Sequence, residues 1–477
     1  MPCMQTSNNC GWRRLGILIL VAIVARGLTF GNPIVHVDEE FYLVVARAMW
    51  QGALPFVDIW DRKPIGLFLI YLPAAALPLP WATYGYQGTA FASAVGTAWI
   101  IGRLADRAGW RAGGTAAATA YLLWLSTLGG IGGQSPVFFN LPMAAAGLLI
   151  AAPDRAHRRL RGISAMVLVG IALQIKYSVV FEGMFFGLWL LAAEWRLARS
   201  TAKLMAYGAT MVSAALMPTA IAWAFYAWVG QADAFVFANF TSIFARNPDP
   251  LKETLANAAI LMLILSPLIA MAFGSRGRSS GGDPSTRLFL RLWLGAAVAG
   301  LAAFGSYFDH YGLPVLVPGC ACIAGFLGAR DLRRPSIAIL MTVAAAGLIT
   351  TLVNRTNRGT PRQFEALAKA IGRGPGCLYV YSGSTMLYAA SDRCRLSRYV
   401  FPSHLSRQRE NGAIGVDQAA EVRRILAAKP AVVVMRPPYR GERSDIRALV
   451  LDAVAKDYKV PATVRLGNEV VAVYAHR

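Results

Sequence analysis

Long apolar runs alternate with short arginine-rich stretches over most of the chain. The runs fall at about 13–30, 64–80, 86–104, 112–130, 136–152, 161–175, 178–195, 202–229, 254–274, 287–306, 311–329 and 335–353, twelve in all. An apolar run of ~17–25 residues, wound as a helix, crosses a ~30 Å hydrocarbon layer with its backbone hydrogen bonds satisfied internally. The pattern therefore predicts a mainly α, polytopic membrane helix bundle. The first run follows Arg13 and Arg14 in the manner of a signal peptide. No small-residue cleavage site follows it, and Asp38, Glu39 and Glu40 come next, so it reads as an uncleaved first helix.

Charge decides how the runs thread. If all twelve crossed, the loop with Arg103, Arg107 and Arg111 and the loop with Arg155, Arg158, Arg159 and Arg161 would both face outward, against the positive-inside rule. Holding 64–80 at the outer face without crossing repairs this. That run carries Pro64, Pro73, Pro78 and Pro80 and is poor helix material; non-helical backbone at membrane depth is tolerated where protein covers it. Arg103–Arg111, Arg155–Arg161, Arg196–Lys203, Arg276–Arg291 and Arg330–Arg334 then all fall inside. Eleven helices cross, the N-terminus is cytoplasmic, and the protein is a multi-pass protein of the inner (plasma) membrane. Residues 1–353 form the transmembrane domain and 354–477 an extracytoplasmic one. Three segments face outward: 31–63 with the dipping run, 231–253, and the tail.

The tail changes character. Leu378–Tyr381 and Ala431–Met435 read as buried strands, being short, apolar and bounded by Gly or Pro. Val416–Ala428 and Asp445–Tyr458 have helical spacing, and Val464–Tyr474 reads as a hairpin around Gly467-Asn468. The result is a small soluble α/β domain. Its Cys377 and Cys394 either pair as a disulfide in an oxidising compartment or remain two buried thiols. Cys320 and Cys322 lie on opposite faces of an apolar helix, which argues against metal binding, and Cys3 and Cys10 read as cytoplasmic thiols.

Composition excludes other classes. Only 15% of the 477 residues are charged and 56% are hydrophobic, against about 25% charged in a soluble domain. A net charge of +22 suggests nucleic acid on a soluble protein. Here the basic residues sit in loops, with no basic helix, zinc motif or aromatic RNA platform, so no nucleic-acid partner is expected. No P-loop or Rossmann glycine fingerprint is present, so no nucleotide cofactor is expected.

The first outer loop concentrates the chemistry. It reads His36-Val-Asp38-Glu39-Glu40-Phe-Tyr42, then Phe56-Val-Asp58-Ile-Trp60-Asp61-Arg62-Lys63-Pro64. Five carboxylates with Arg62 and Lys63 gather at one membrane surface in a chain with only 25 acidic residues. Desolvated carboxylates there call for cations, protons, phosphates or a metal. The plainer alternative is that Asp38 and Glu39 cap an interfacial helix from Glu40 to Trp50; both can hold. Lys176, after Gln174, is expected at the outer end of its helix, where an ionisable residue either contacts a ligand or snorkels.

These residues resemble the GT-C superfamily of membrane glycosyltransferases: Asp-Glu after the first membrane helix, then Asp-x-Lys-Pro before the next apolar segment. The likeness is to glycosyltransferase family 39, the dolichyl-phosphate-mannose-protein mannosyltransferase group that includes the lipid A aminoarabinose transferases. It runs through Asp38–Tyr42, Trp50–Pro55 and Asp58–Pro64, with weaker echoes at Gln174-Ile-Lys176 and His310-Tyr311-Gly-Leu-Pro314. Pro64-Ile65 stands where many members have two prolines. The resemblance implies a polyprenyl-phosphate-linked sugar donor, a membrane-lipid environment and an extracytoplasmic acceptor. It makes Asp38 the candidate general base, with Glu39 assisting it or helping to hold a divalent metal. Lys63 contacts the donor phosphate, helped by Arg62 and Lys176. Asp61 orients Lys63 or shares the metal, and His310 is a metal ligand or a satisfied interfacial histidine. Two rival readings remain: a transporter or flippase for lipid-linked precursors, and a membrane scaffold using the tail as its binding module. No inverted repeat and no midplane charge favours the transporter.

Overall fold

The computed structural model describes residues 7–151, 157–275, 281–305, 307–459 and 462–477. Cys3, Arg155 and Arg276 lie outside them. The chain begins with α1 (Ser7–Arg26), α2 (Val37–Trp50), α3 (Ile65–Ala75), α4 (Trp81–Arg107), α5 (Arg111–Thr127), α6 (Ser135–Ile150) and α7 (Arg158–Leu173). It continues with α8 (Val180–Ala198), α9 (Thr201–Trp228), α10 (Ala232–Val236), α11 (Leu251–Gly274), α12 (Pro284–Phe304), α13 (Leu316–Leu327) and α14 (Arg333–Arg358). The tail holds α15 (Pro361–Ile371), β1 (Leu378–Val380), α16 (Met386–Ser391), α17 (Pro402–Ser406), α18 (Gln418–Ala427), β2 (Val432–Met435), α19 (Ser444–Asp457), β3 (Ala462–Leu466) and β4 (Glu469–Ala475).

Each apolar run expected to cross carries a helix. Among the described residues, five stretches are long and apolar enough to cross a membrane: Tyr177–Ala198, Thr201–Trp228, Leu251–Gly274, Pro284–Phe304 and Arg333–Ile371. Leu188, Met205, Ile221, Met262, Leu263, Met341 and Ile349 on these stretches are exposed. Large apolar side chains left outside the protein on helix after helix suit a hydrocarbon solvent. The 64–80 run departs from expectation in one respect. It is helical: Pro64 sits at the N-cap, where proline does little harm, and the helix runs through Pro73 and ends two residues later. With 11 residues, α3 is roughly 16 Å long, short of a ~30 Å layer.

The helices and tail form two compact units. One contains Met1–Leu28, Gly88–Ile221 and Pro250–Thr351. Two buried arginines bracket α1 within it. Arg14 donates to both oxygens of Asp106, at 2.8 and 3.0 Å, and Arg26 donates to the Gly130 and Gly132 carbonyls at 2.8 and 2.7 Å. Hydrogen bonds to an ion in a low-dielectric interior are strong ones. Helix α13 is apolar all round and buried over nearly its whole length, as such a helix should be. Asn140 ties α6 to the Tyr121 hydroxyl and the Leu313 carbonyl, at 3.3 and 3.1 Å.

The other unit contains Thr29–Gln87, Ala222–Asp249 and Leu352–Arg477. It thus gathers nearly all of the three segments that the charge pattern assigns to one side. The tail supplies a sheet of order β1-β2-β4-β3, parallel between β1 and β2 and antiparallel elsewhere. Both expected strands, both expected helices and the hairpin are present. Gly467 takes φ +63° at the hairpin turn, the first-position glycine of a primed two-residue loop. The sequence pattern did not indicate α15, which opens on a capping box between Thr360 and Gln363 with Pro361 at its first position. Trp60, from the loop between α2 and α3, is buried among Tyr379, Tyr399, Leu405, Ile414 and Val433 and so belongs to the tail's core.

Cys377 and Cys394 form a disulfide across 17 positions, joining β1 to the segment that leads to Tyr399. A loop of this size is worth about 3 kcal/mol through the unfolded chain. Replacing both cysteines with alanine should therefore make the tail markedly more open to limited proteolysis, while the membrane-embedded fragment stays intact. An unchanged cleavage rate would contradict it.

Candidate functional site

The site begins at the N-terminus of α2. His36 is the N-cap: its Nδ1 accepts from the Asp38 amide at 3.2 Å, so capping falls to the histidine and not to Asp38 or Glu39. Asp38, Glu39 and Glu40 fill the first turn, where the helix dipole favours negative charge. Their fates differ. Glu40 is buried and accepts from the Ser384 hydroxyl of the tail; burial pushes its carboxyl up to about 7. Glu39 is fully buried within electrostatic reach of Tyr71 and Tyr86. Asp38 alone keeps a partly exposed side chain, with one oxygen 3.8 Å from His36 Nδ1.

The second strand of the site is the loop before α3. It is held in place residue by residue. Phe56 adopts φ +71°, a costly conformation for a non-glycine, and its ring is packed 5.3 Å from Tyr226 and 5.8 Å from Phe235. The Trp60 amide donates to the Arg398 carbonyl at 2.9 Å, and its ring meets His404 edge-on at 4.8 Å. Arg62 is fully engaged: it donates to Glu410 at 2.6 Å, to the Ser242 hydroxyl at 3.0 Å and to the Ala413 carbonyl at 2.8 Å. Glu410 also accepts from Arg246 at 2.5 Å. Burial raises the Glu410 carboxyl, but Arg246 and Arg62 outweigh it and bring it down to about 2. One buried carboxylate thereby joins the loop, the 231–253 segment and the tail. Arg62, expected at a donor phosphate, is committed to this network.

Asp61 is buried, and burial pushes its carboxyl above the ordinary range against the pull of Lys63. One oxygen accepts from the Arg62 amide at 2.7 Å and lies 3.9 Å from His404 Nε2. The other is buried with no hydrogen-bond partner among the described residues, as is His404 Nδ1. Burial pushes His404 down to about 3, which keeps it neutral. Lys63 is half-buried, with Nζ 5.9 Å from the Tyr42 ring. Nothing in the sequence marked His404 or Glu410, since a lone histidine and a lone glutamate in a polar tail carry no spacing signal.

Lys176 and His310 belong to the other unit. Lys176 Nζ stands 4.1 Å from the Tyr311 ring, and the His310 ring lies 4.7 Å from the same tyrosine. With Phe181, Glu182 and Phe304 these residues line a narrow cavity of about 30 Å³. His310 Nδ1 lies 3.3 Å from Asp309. The structure thus groups Asp38, Glu39, Asp61, Arg62 and Lys63 in one unit and Lys176 with His310 in the other.

Solved structures share this fold. ArnT from Cupriavidus metallidurans bound to undecaprenyl phosphate matches with a TM-score of 0.64 at 14% identity, over 98% of this chain and 98% of that chain. Its apo state gives 0.62 at 16% identity over the same shares. The apo oligosaccharyltransferase of Archaeoglobus fulgidus gives 0.53 at 11% identity, over 89% of this chain and 69% of that chain. No protein-family model and no curated protein matches the sequence. The chain shares the fold of these structures.

The Glu410 network predicts an acid response. A carboxyl depressed in the fold stabilises it above its ordinary value and loses that contribution as pH falls towards the depressed one. Part of the chain's stability should therefore disappear between about pH 4.5 and 2. Glu410→Gln should remove that part of the slope and destabilise the protein at neutral pH by roughly 3–5 kcal/mol, because two arginines stay buried without their anion. Thermal unfolding from pH 2 to 7 measures both; identical profiles would count against the network.

Proposed function

We propose that the protein is an integral membrane glycosyltransferase that moves a sugar from a polyprenyl-phosphate-linked donor to an extracytoplasmic acceptor hydroxyl, with inversion at the anomeric carbon. The observation that carries this reading is that Asp38, partly exposed at the head of α2, and Lys63, on an anchored loop just before α3, both lie within electrostatic reach of buried Asp61. The shared fold supports it, as one similar protein was crystallised with undecaprenyl phosphate.

In the proposed reaction Asp38 takes the proton of the acceptor hydroxyl. The oxygen attacks the anomeric carbon from the face opposite the phosphate, and the sugar–phosphate bond breaks. Lys63 neutralises the charge developing on the leaving phosphate. A positioned carboxylate base contributes on the order of 10²–10⁴-fold. Arg62 acts through the loop: held by Glu410, Ser242 and Ala413, it fixes the backbone from which Lys63 extends. Glu39 is a buried neighbour of the base. Lys176 is a separate candidate for phosphate contact in its own unit.

A divalent metal has a donor set to meet. Asp61 offers a buried oxygen with no hydrogen-bond partner among the described residues, and neutral His404 faces the same carboxylate. Carboxylate with imidazole suits a borderline divalent cation. Such an ion would supply Lewis-acid charge to the phosphate.

Asp38→Asn and Lys63→Ala should each lower sugar transfer by at least about 100-fold while the protein still accumulates in the membrane. Mass spectrometry of envelope lipids and glycans, in a deletion strain complemented with each variant, reads the outcome. Full transfer by both variants would overturn the assignment.

A further inference from the structure

A groove in the tail-containing unit carries more cation than its own partners use. It has a volume of about 440 Å³ and is lined by Asp58, Arg395, Arg398, Tyr399, Glu421 and Arg424 among others. Some of that charge is spoken for. Arg424 grips Glu421 through two nitrogens at 2.7 and 2.8 Å and donates to the Leu396 carbonyl at 2.6 Å. Glu421 also accepts from the Ser397 hydroxyl at 2.6 Å. Asp58 accepts from the Leu54 amide at 2.7 Å. Arg398 lies over the Tyr399 ring and donates to its hydroxyl at 2.8 Å.

Arg395 is different. Its guanidinium is half-buried, yet among the described residues it forms no hydrogen bond and no ion pair; Tyr388 and then Asp58 act on it by electrostatics only. A planar fork with five donors, drawn partly out of water and left unmatched, suits a carboxylate or a phosphate bound in two-point fashion. The backbone that bears it is rigid. Cys394 is tied by the disulfide, and the Arg398 carbonyl accepts the amide of Trp60, next to Asp61 in the candidate site.

We propose that this groove is an acceptor subsite that takes the carboxylate or phosphate of an anionic saccharide, with Arg395 as its principal contact. The proposal rests on the glycosyltransferase reading for the word acceptor. Arg398 supplies a second positive charge, and Tyr399 an aromatic wall for a sugar ring. A volume of several hundred Å³ is that of a small-ligand site.

The full chain in neutral phosphatidylcholine nanodiscs is titrated calorimetrically with digalacturonate and, in parallel, with neutral digalactose. Digalacturonate should bind at least about tenfold more tightly. Arg395→Ala should remove that preference, and Arg395→Lys, which keeps the charge but not the fork, should retain part of it. Equal binding of the two sugars, or an Arg395→Ala variant that binds digalacturonate like the native protein, overturns the subsite. Nanodiscs containing phosphatidylglycerol should leave the binding unchanged; if they abolish it, the groove serves lipid headgroups and the saccharide proposal fails. Undecaprenyl phosphate binding on the same preparation tests the transferase reading separately. Its absence beside intact digalacturonate binding sinks that reading alone, and the reverse sinks only the subsite.

Discussion

A buried carboxylate between two arginines holds the chemistry-bearing unit together. Glu410 accepts from Arg62 and Arg246 at 2.6 and 2.5 Å, and each arginine comes from a different stretch of chain. Desolvating three charges is costly unless each is matched. Here Arg62 also reaches Ser242 and a carbonyl, so its donors are used. Such a cluster tolerates one arrangement. The loop before α3 can therefore have only one position in its unit, and Trp60 fixes that position a second time by filling the tail's apolar core. Lys63 and Asp61 inherit their placement from this pair of anchors.

This also explains why Arg62 and Lys63, neighbours of like charge, serve unlike purposes. Arginine's fork is suited to multipoint pairing, whereas lysine is a compact charge on a flexible stem. The residue whose geometry must not vary is the arginine. The half-buried residue, with its Nζ 5.9 Å from the Tyr42 ring, is the lysine.

Much of the architecture was legible in the sequence because lipid imposes a strong rule. A spanning helix must be long and apolar, and the runs announce themselves. The tail's strands and its Gly467 hairpin were legible for an equally local reason, short apolar runs between turn residues. The candidate site was legible only where its residues adjoin in sequence, from Asp38 to Lys63. Glu410, His404 and Ser384 meet that loop from more than three hundred positions away. No periodicity encodes such a meeting. The helical state of α3 was missed because proline was counted and not located: Pro64 is the N-cap and Pro78 and Pro80 fall beyond the helix, which leaves only Pro73 inside it.

The acid–base states of the site follow from the same burial. A carboxyl sealed from water without enough opposite charge is pushed above its ordinary range, and Asp61 and Glu40 are of this kind. Glu410, sealed as tightly but between two guanidinium groups, stays ionised. Asp38 keeps a partly exposed side chain. The environments of the buried carboxylates thus commit them to holding the loop, and the base proposed above is a carboxylate that keeps contact with solvent.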